Sequence, residues 1–414
     1  MNNLGQELKK IKETSWEGYR RKNGVGIRNK VLIVYTVECA AFVAQQIGVK
    51  TAHPDVDVVG FTGCCDSAYA VRMLIALIRH PNVGAVLAVG NGCEYTRPHE
   101  LARIAQEEEK YAESFYIQEE GGTASSIEKG TAIVREFLEK LKETPKCRMT
   151  IKDLVVGAEC GGSDYTSGLA GNACVGCFFD LLVDLGGTAV FEEIMEAVGL
   201  KEYLVSRCEN EILKKEMAFT YDKMIEHCRH IHQYSISPGN FVGGLSSIEE
   251  KSMGSLAKSG SRPITGICKV SQKPSHPGLW LLDSTPDPYF MGFGKTNPND
   301  SEGLIALISS GCHLVFLVTG RGSTVGSAVA PTLKITGNAQ TFEHLKGDLD
   351  FDASPVLRGE KSMEELAVSL CQEVLCTCQG KPTCAEKLGH KEFYIPYKYQ
   401  EARRVALPPC GQSL

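Results

Sequence analysis

Four apolar strands in the first 160 residues each run directly into a cysteine, which leaves few architectures open to the chain. They read VLIVYTVE before Cys39, VDVVGFTG before Cys64 and Cys65, VGAVLAVGNG before Cys93, and LVVGAE before Cys160. Short Val-rich runs separated by amphipathic helices are the pattern of a parallel sheet buried on both faces. In an open parallel sheet the carboxyl ends of the strands line one edge, where ligands bind. A thiol repeated at that edge implies sulfurs, distant in sequence, converging on one pocket. Soft thiolates on a rigid strand edge suit iron or zinc.

Strand and helix alternate through the first part of the chain. A strand at 30–38 leads to a helix at 40–48, 56–62 to 67–79, 83–90 to 98–112, and 115–118 to 123–142. After a short link, Glu143-Thr144-Pro145-Lys146, a strand at 153–158 opens a second unit with helices at 173–184 and 203–231. Strands follow at 263–270, 279–283 and 313–319, with helices near 300–310 and 361–379. At 414 residues the chain is too long for one ordinary core. The pattern predicts an α/β fold of two Rossmann-like parallel-sheet domains, residues 1–146 and 147–414, the second carrying glycine-rich active-site loops. The Gly- and Ser-rich segment 235–260 has weak periodicity and reads as a long loop, which in a compact protein is usually functional or disordered.

Charge narrows the partners. Lys plus Arg number 44 and Asp plus Glu 50, a net charge of −6, which gives no support to nucleic acid or an anionic membrane. The first residues are charged without an apolar signal core, and no apolar stretch approaches the ~18–20 residues that span a bilayer. A cytoplasmic protein is expected. Its 17 cysteines, odd in number and scattered, are thiols or metal ligands in a reducing compartment rather than a disulfide framework.

Several segments carry chemistry. Cys39, Cys65, Cys93 and Cys160 are the candidate metal ligands, because each lies just past an apolar strand; a buried cysteine is otherwise simply a small apolar residue. Glu159-Cys160-Gly161-Gly162-Ser163-Asp164 opens a strand into glycines and a helix, so backbone N–H groups can face an anion. Asp164 there either binds metal or substrate, or caps the helix. Glu192 and Glu193 are adjacent carboxylates at a strand end, able to raise one pKa and create a proton carrier, or else a solvated helix start. Lys251 follows Asn240 in the glycine-rich segment and is a candidate base or carboxylate partner. Arg321, between Gly320 and Gly322-Ser323, is suited to clamp a substrate carboxylate. No Walker A, GxGxxG, GxSxG or HExxH pattern is present.

Together these segments resemble the altronate/galactarate dehydratase family of sugar-acid hydro-lyases. The likeness runs through Gly18-Tyr19-Arg20, Gly24 to Asn29 with Arg28, Thr36 to Cys39, His80 to Val83, Asn91 to Glu94, ECGGSD at 159–164, Pro238-Gly239-Asn240, Glu250-Lys251-Ser252 and Thr319 to Ser323. The resemblance implies iron-dependent removal of water from a 2,3-dihydroxy acid to give a 2-keto-3-deoxy acid. The metal is expected as Fe(II), with an iron–sulfur cluster as the alternative. Lys251, Asp164 and Glu193 would be catalytic, and Arg321, Gly322, Ser323, Asn240 and Arg28 would hold substrate. A relative within the family is a sulfo-lyase that releases sulfite from sulfolactate, so a carbon–sulfur lyase is the second reading. A non-catalytic metal- or ligand-binding protein on the same scaffold is the third.

Single-chain dehydratases of the family carry a small β-rich domain before the segment that here begins at Gly18. The chain is therefore expected to be the large subunit of a split enzyme. An oligomer completed by a separately encoded small β-domain subunit is expected, acting on a small sugar acid or sulfonate. Cys64-Cys65-Asp66, Asn172 to Cys177 and the segment after Asp283 depart from the family pattern, so the substrate need not be altronate or galactarate.

Overall fold

The computed structural model describes residues 3–64, 67–286 and 299–396. Its strands are β1 (Ser15–Arg21), β2 (Gly24–Gly26), β3 (Lys30–Tyr35), β4 (Val56–Gly60), β5 (Val83–Gly90), β6 (Tyr111–Tyr116), β7 (Lys146–Thr150), β8 (Val155–Cys160), β9 (Thr188–Phe191), β10 (Ile264–Lys269), β11 (Gly278–Asp283), β12 (Leu314–Val318), β13 (Thr332–Thr336) and β14 (Phe351–Asp352). They form a four-stranded sheet in the order β4-β3-β5-β6 and a seven-stranded sheet in the order β10-β11-β9-β8-β12-β13-β14. Every pairing in both is parallel. Strands β2, β1 and β7 make a small antiparallel sheet. The mixed α/β architecture with two parallel sheets is the one the strand pattern predicted.

Burial explains why those strands are so apolar. All six residues of β3 and all eight of β5 are buried, because helices cover both faces of the sheet. One face packs on helices Glu38–Thr51 and Thr123–Leu141. The other shares a core with the seven-stranded sheet, built by Leu32, Val34, Val86 and Ala88 on one side and Val190, Leu282, Val315 and Leu317 on the other. Helices Ala68–Ile78, Pro98–Glu107 and Asp300–Ser309 supply the apolar residues between. The far face of the larger sheet packs on helices Asn172–Asp184, Glu211–Ile231 and Met363–Cys378.

Some local expectations shift. The helix predicted at 203–231 is two, Lys201–Ser206 and Glu211–Ile231, because Cys208 pairs with Ile264 and Asn210 caps the second by accepting from the Leu213 N–H. The segment read as a loop at 235–260 holds helices Pro238–Val242 and Ile248–Leu256 and a 3-10 turn, Ala257–Ser259. Its serines act as caps there, with Ser247 accepting from the Glu250 N–H. Strands β1, β2, β7, β13 and β14 are not signalled by apolar runs. Among the described residues no helix is long and apolar enough to cross a membrane.

Candidate active site

Chain connections leave β8 and β12 in opposite directions, β8 toward β9 and β12 toward β13. That reversal opens a crevice at the carboxyl ends of the two strands, the usual ligand position in such a sheet. The Gly161 N–H donates to Val318 O and the Arg321 N–H to Gly162 O, zipping the ECGGSD and TGRGS loops together. Gly161 is required by space: a Cβ there would lie 2.4 Å from Asp300 Oδ2. Gly162 sits at φ +58. The cleft, about 420 Å³, is lined by Glu159, Cys160, Glu193, Glu196, Lys251 and Asp300, with Gln233, Ser235, Ser237 and Asn240 on its other wall.

Its floor is a buried array of carboxylates and lysines. Lys258, 1% exposed, donates to Glu193 and to Ser255 Oγ at 3.1 Å, and sits 3.2 Å from Cys160 Sγ. Lys251 donates to Glu196 and to Ser235 O at 2.6 Å. Glu193 also accepts from the Cys160 N–H at 2.7 Å, and its backbone is left-handed at φ 73, a strained geometry for a non-glycine residue. Burial, with Glu196 adding to it, pushes the Glu193 carboxyl up to about 8. Burial also pushes Glu196 up, but Lys251 and Lys258 outweigh it and bring that carboxyl down to about 2. Glu159 is held well above the ordinary carboxylate range by burial and by facing Glu192. Glu159 Oε2 and Glu192 Oε2 are both buried without a hydrogen-bond partner, an arrangement that favours a proton on this pair.

The residues singled out in the sequence divide between three places. Cys160, Glu193, Lys251 and Asn240 meet in this cleft. Asn240 is occupied in holding it, since its side chain accepts from the Ser237 N–H and donates to Ser163 O. Arg321 stands at the rim, exposed, with Nη1 2.9 Å from Gly239 O, and Gly322 adjoins Gly162. Ser323 does not line the cleft: its hydroxyl accepts from the Val325 N–H and its carbonyl from Lys334 Nζ.

Asp164 is a cap: it accepts from the Thr166 and Ser167 N–H groups and from Asn338 Nδ2, and so ties the loop after β8 to the loop after β13 beside the π-turn Ser167–Gly171. Arg28 lies in another cleft, of about 480 Å³, with its guanidinium paired to Glu386 and donating to Thr377 O and Lys381 O. The strand-end thiols fall at two edges rather than one: Cys39 and Cys93 belong to the four-stranded sheet and are exposed, whereas Cys160 is buried in the seven-stranded one. Cys65 lies outside the described residues.

Sequence reasoning missed Lys258 and Glu196 as members of the site, and gave Glu159 only as the start of the ECGGSD segment, with no role of its own. A signal existed for the first: Lys251 and Lys258 are seven residues apart, two helical turns, and so share a face. Glu196 is three residues beyond Glu193 on the same short 3-10 turn.

Cys160, Glu193 and Glu196 offer donor atoms within 4.8 Å of one another, as do Glu159, Glu192 and Glu193. Neither set fits the iron that the resemblance implies. Lys258 already bonds the Cys160 sulfur and the Glu193 carboxylate, Lys251 bonds Glu196, and burial beside Glu192 holds Glu159 well above the ordinary carboxylate range, favouring its neutral form. The array is therefore built for proton and anion chemistry.

Residues 151–401 match the family model described as D-galactarate/Altronate dehydratase, C-terminal, and residues 18–142 match D-galactarate dehydratase/Altronate hydrolase, second domain. The chain is 31% identical over 401 residues to an altronate dehydratase of Escherichia coli, an alignment covering 91% of this chain and 76% of that protein. It is 30% identical over 407 residues to the (2R)-sulfolactate sulfo-lyase subunit beta of Chromohalobacter salexigens, covering 95% of this chain and 100% of that subunit. Galactarate dehydratase (L-threo-forming) of Escherichia coli is 29% identical over 405 residues, covering 91% and 75%.

Proposed function

Because the chain belongs to the D-galactarate/altronate dehydratase family, we propose that it is a lyase subunit that removes water from a 2,3-dihydroxy sugar acid to give a 2-keto-3-deoxy acid. The observation that carries this reading is the pairing of a near-neutral carboxyl, Glu193, with a buried ammonium, Lys258, on the floor of a polar cleft. Glu193 takes the C2 proton, and a carboxyl brought close to the working pH suits that transfer. Negative charge then develops on the substrate carboxylate, where Lys258 and Lys251 lie preorganised to stabilise it. The C3–O bond breaks as Glu159 gives its proton to the departing hydroxide, forming water. The enol product becomes the 2-keto acid by protonation at C3. Arg321 at the rim binds the far, anionic end of the substrate.

Elimination of sulfite in place of water is the second reading, favoured by the alignment spanning the whole sulfo-lyase subunit beta but only about three-quarters of the dehydratases. The proton-abstracting residues are the same in both, and only the leaving group differs.

A separate small β-domain subunit completes the enzyme in this proposal. Supporting it is an apolar rim beside the cleft: Tyr165, Leu169, Phe241, Val242 and Met253 are between 51% and 77% exposed. They lie on three segments packed together, with the Tyr165 N–H donating to Gly243 O and Gly168 against Gly254. Such a patch on a polar surface marks a protein interface. The test is to assay altronate, galactarate and sulfolactate with the chain alone and with a co-produced small β-domain partner, detecting 2-keto acid and sulfite separately. A 2-keto-3-deoxy acid formed only with the partner is expected. Full-rate turnover by the chain alone would end the split-enzyme reading, and no product from any of the three acids would end the lyase reading.

A further inference from the structure

One carboxylate of the cleft takes no part in the array on its floor. Asp300 lines the cleft with Cys160, Glu196 and Lys251. Glu193 is held by Lys258 and Glu196 by Lys251. The half-buried Asp300 side chain makes no hydrogen bond or ion pair with any other of the described residues, and meets only its own N–H. Burial and the charge of Glu196 raise its carboxyl, outweighing that N–H and Lys251. Added negative charge at this place is therefore resisted.

The helix that carries Asp300 fixes its position against Glu159. Asp300 opens the helix Asp300–Ser309, whose Asn299 cap accepts from the Glu302 N–H. Residues three apart share a helix face. One turn on from Asp300, Gly303 packs on the Glu159 carboxyl, so closely that a Cβ there would lie 2.4 Å from Oε1. Asp300 itself packs on Gly161, two residues beyond Glu159. One helix face thus brings Asp300 to the side of the cleft where Glu159 protonates the departing group.

Charge in the cleft is one-sided. Its described lining residues include four with carboxyl groups, Glu159, Glu193, Glu196 and Asp300, and one cation, Lys251. Lys258 adds a second ammonium from the floor. Both lysines are engaged by their glutamates and by the substrate's own carboxylate, so neither remains for a second anionic group at C3. Gln233, Ser235 and Ser237 on the other wall are neutral. The positive end of the helix is already met by Asp300 and Glu302. A hydroxyl donates to an unpaired carboxylate. A sulfonate only accepts, and there it would set like charges side by side in a cleft closed to most water.

We propose that Asp300 sets the specificity of the cleft, accepting a hydrogen bond from the hydroxyl at C3 of the substrate and excluding a sulfonate from that place. The substrates are then polyhydroxylated carboxylic acids, and one side chain separates loss of water from loss of sulfite. While the hydroxyl donates to Asp300, its oxygen stays free to take the proton of Glu159. C3 is placed here by the lyase reading, on which this assignment rests; the selectivity is read from binding alone.

Glycerate and 3-sulfolactate differ only in carrying a hydroxyl or a sulfonate at C3. Their binding to the full chain, alone and with the co-produced small β-domain partner, is measured by titration calorimetry at fixed salt. Wild type, Asp300→Asn and Asp300→Ser are compared, with melting curves to confirm that the variants are folded. Wild type should prefer glycerate. Both neutral variants should shift the ratio of the two affinities toward sulfolactate by about tenfold or more, because a like charge has been removed. A merely structural defect would weaken both acids alike and leave the ratio where it was. An unshifted ratio in both variants, a wild-type preference for sulfolactate, or binding of neither acid would overturn the proposal. 2-Keto acid and sulfite are assayed on the same preparations. A shifted ratio without product would end the lyase reading and leave the role of Asp300 standing, and product with an unshifted ratio would do the reverse.

Discussion

Lys258 holds its ammonium 3.2 Å from the Cys160 sulfur while also bonding the Glu193 carboxylate, so one cation serves two acceptors, one at the end of β8 and one just past β9. Burial alone would lower the lysine's proton affinity, but Cys160 and Glu193 outweigh it and hold the proton firmly. Lys258→Met removes the charge and keeps the volume. It should lower kcat about 10²–10³-fold, the scale of losing one preorganised electrostatic donor. Lys258→Arg should recover part of kcat without restoring KM. An unchanged kcat in Lys258→Met would remove this residue from the mechanism.

Glu193 must be ionised to accept a proton, and its carboxyl sits near 8. The kcat/KM of the assembled enzyme should therefore rise with pH up to about that value and then level off. Glu193→Gln should reduce kcat about 10²–10⁴-fold, the range for loss of a general base, and flatten that limb. A rising limb that survives in the variant would assign it to another group.

The parallel sheets were legible because their strands are apolar at every position, as in β3 and β5. Strand β1, SWEGYRR, escaped because it alternates exposed and buried residues and carries four charged or polar side chains on a small outer sheet. The cleft was half legible. Cys160, Glu193 and Lys251 stood out by sitting at strand ends or beside glycines, whereas Glu196 enters it through a short 3-10 turn that leaves no periodic trace, and Lys258 lies in the turn directly beyond the helix that carries Lys251. Asp164 illustrates the opposite error: a carboxylate among glycines and serines reads as a ligand, but its oxygens are consumed by the N–H groups of the turn it caps. The thiols misled in a different way, because sequence does not say which strands share a sheet.

Acid should expose the Glu196–Lys251 pair. The folded carboxyl lies near 2, below its unfolded value of about 4.3. Its contribution is therefore fully present above pH ~4.3 and is lost as pH falls from there toward 2, worth at most about 3 kcal/mol. Thermal melts of the wild type between pH ~5 and ~2 should show this loss. In Glu196→Gln the starting stability should be lower, because Lys251 is left buried without its partner, and the pH dependence shallower. An equally steep acid limb in the variant would place the titrating group elsewhere.

Arg28 and Arg321 both resemble substrate clamps in sequence, and their surroundings predict opposite phenotypes. Arg28 is 8% exposed and spends its donors on Glu386 Oε1 and Oε2, at 2.7 and 2.8 Å, and on three carbonyls, those of Ile27, Thr377 and Lys381. Arg28→Ala leaves Glu386 with a half-buried, unpaired charge and should cost about 3 kcal/mol of stability while leaving KM unchanged. Replacing both partners by apolar residues should recover much of that loss. Arg321 makes one side-chain bond, to Gly239 O, and faces solvent at the cleft rim. Arg321→Ala should leave the melting temperature almost unaltered and raise KM about 10–100-fold, the worth of one charge-assisted hydrogen bond. Steady-state kinetics and melting curves on both variants separate the two roles, and a KM effect in Arg28→Ala with none in Arg321→Ala would reverse the assignment.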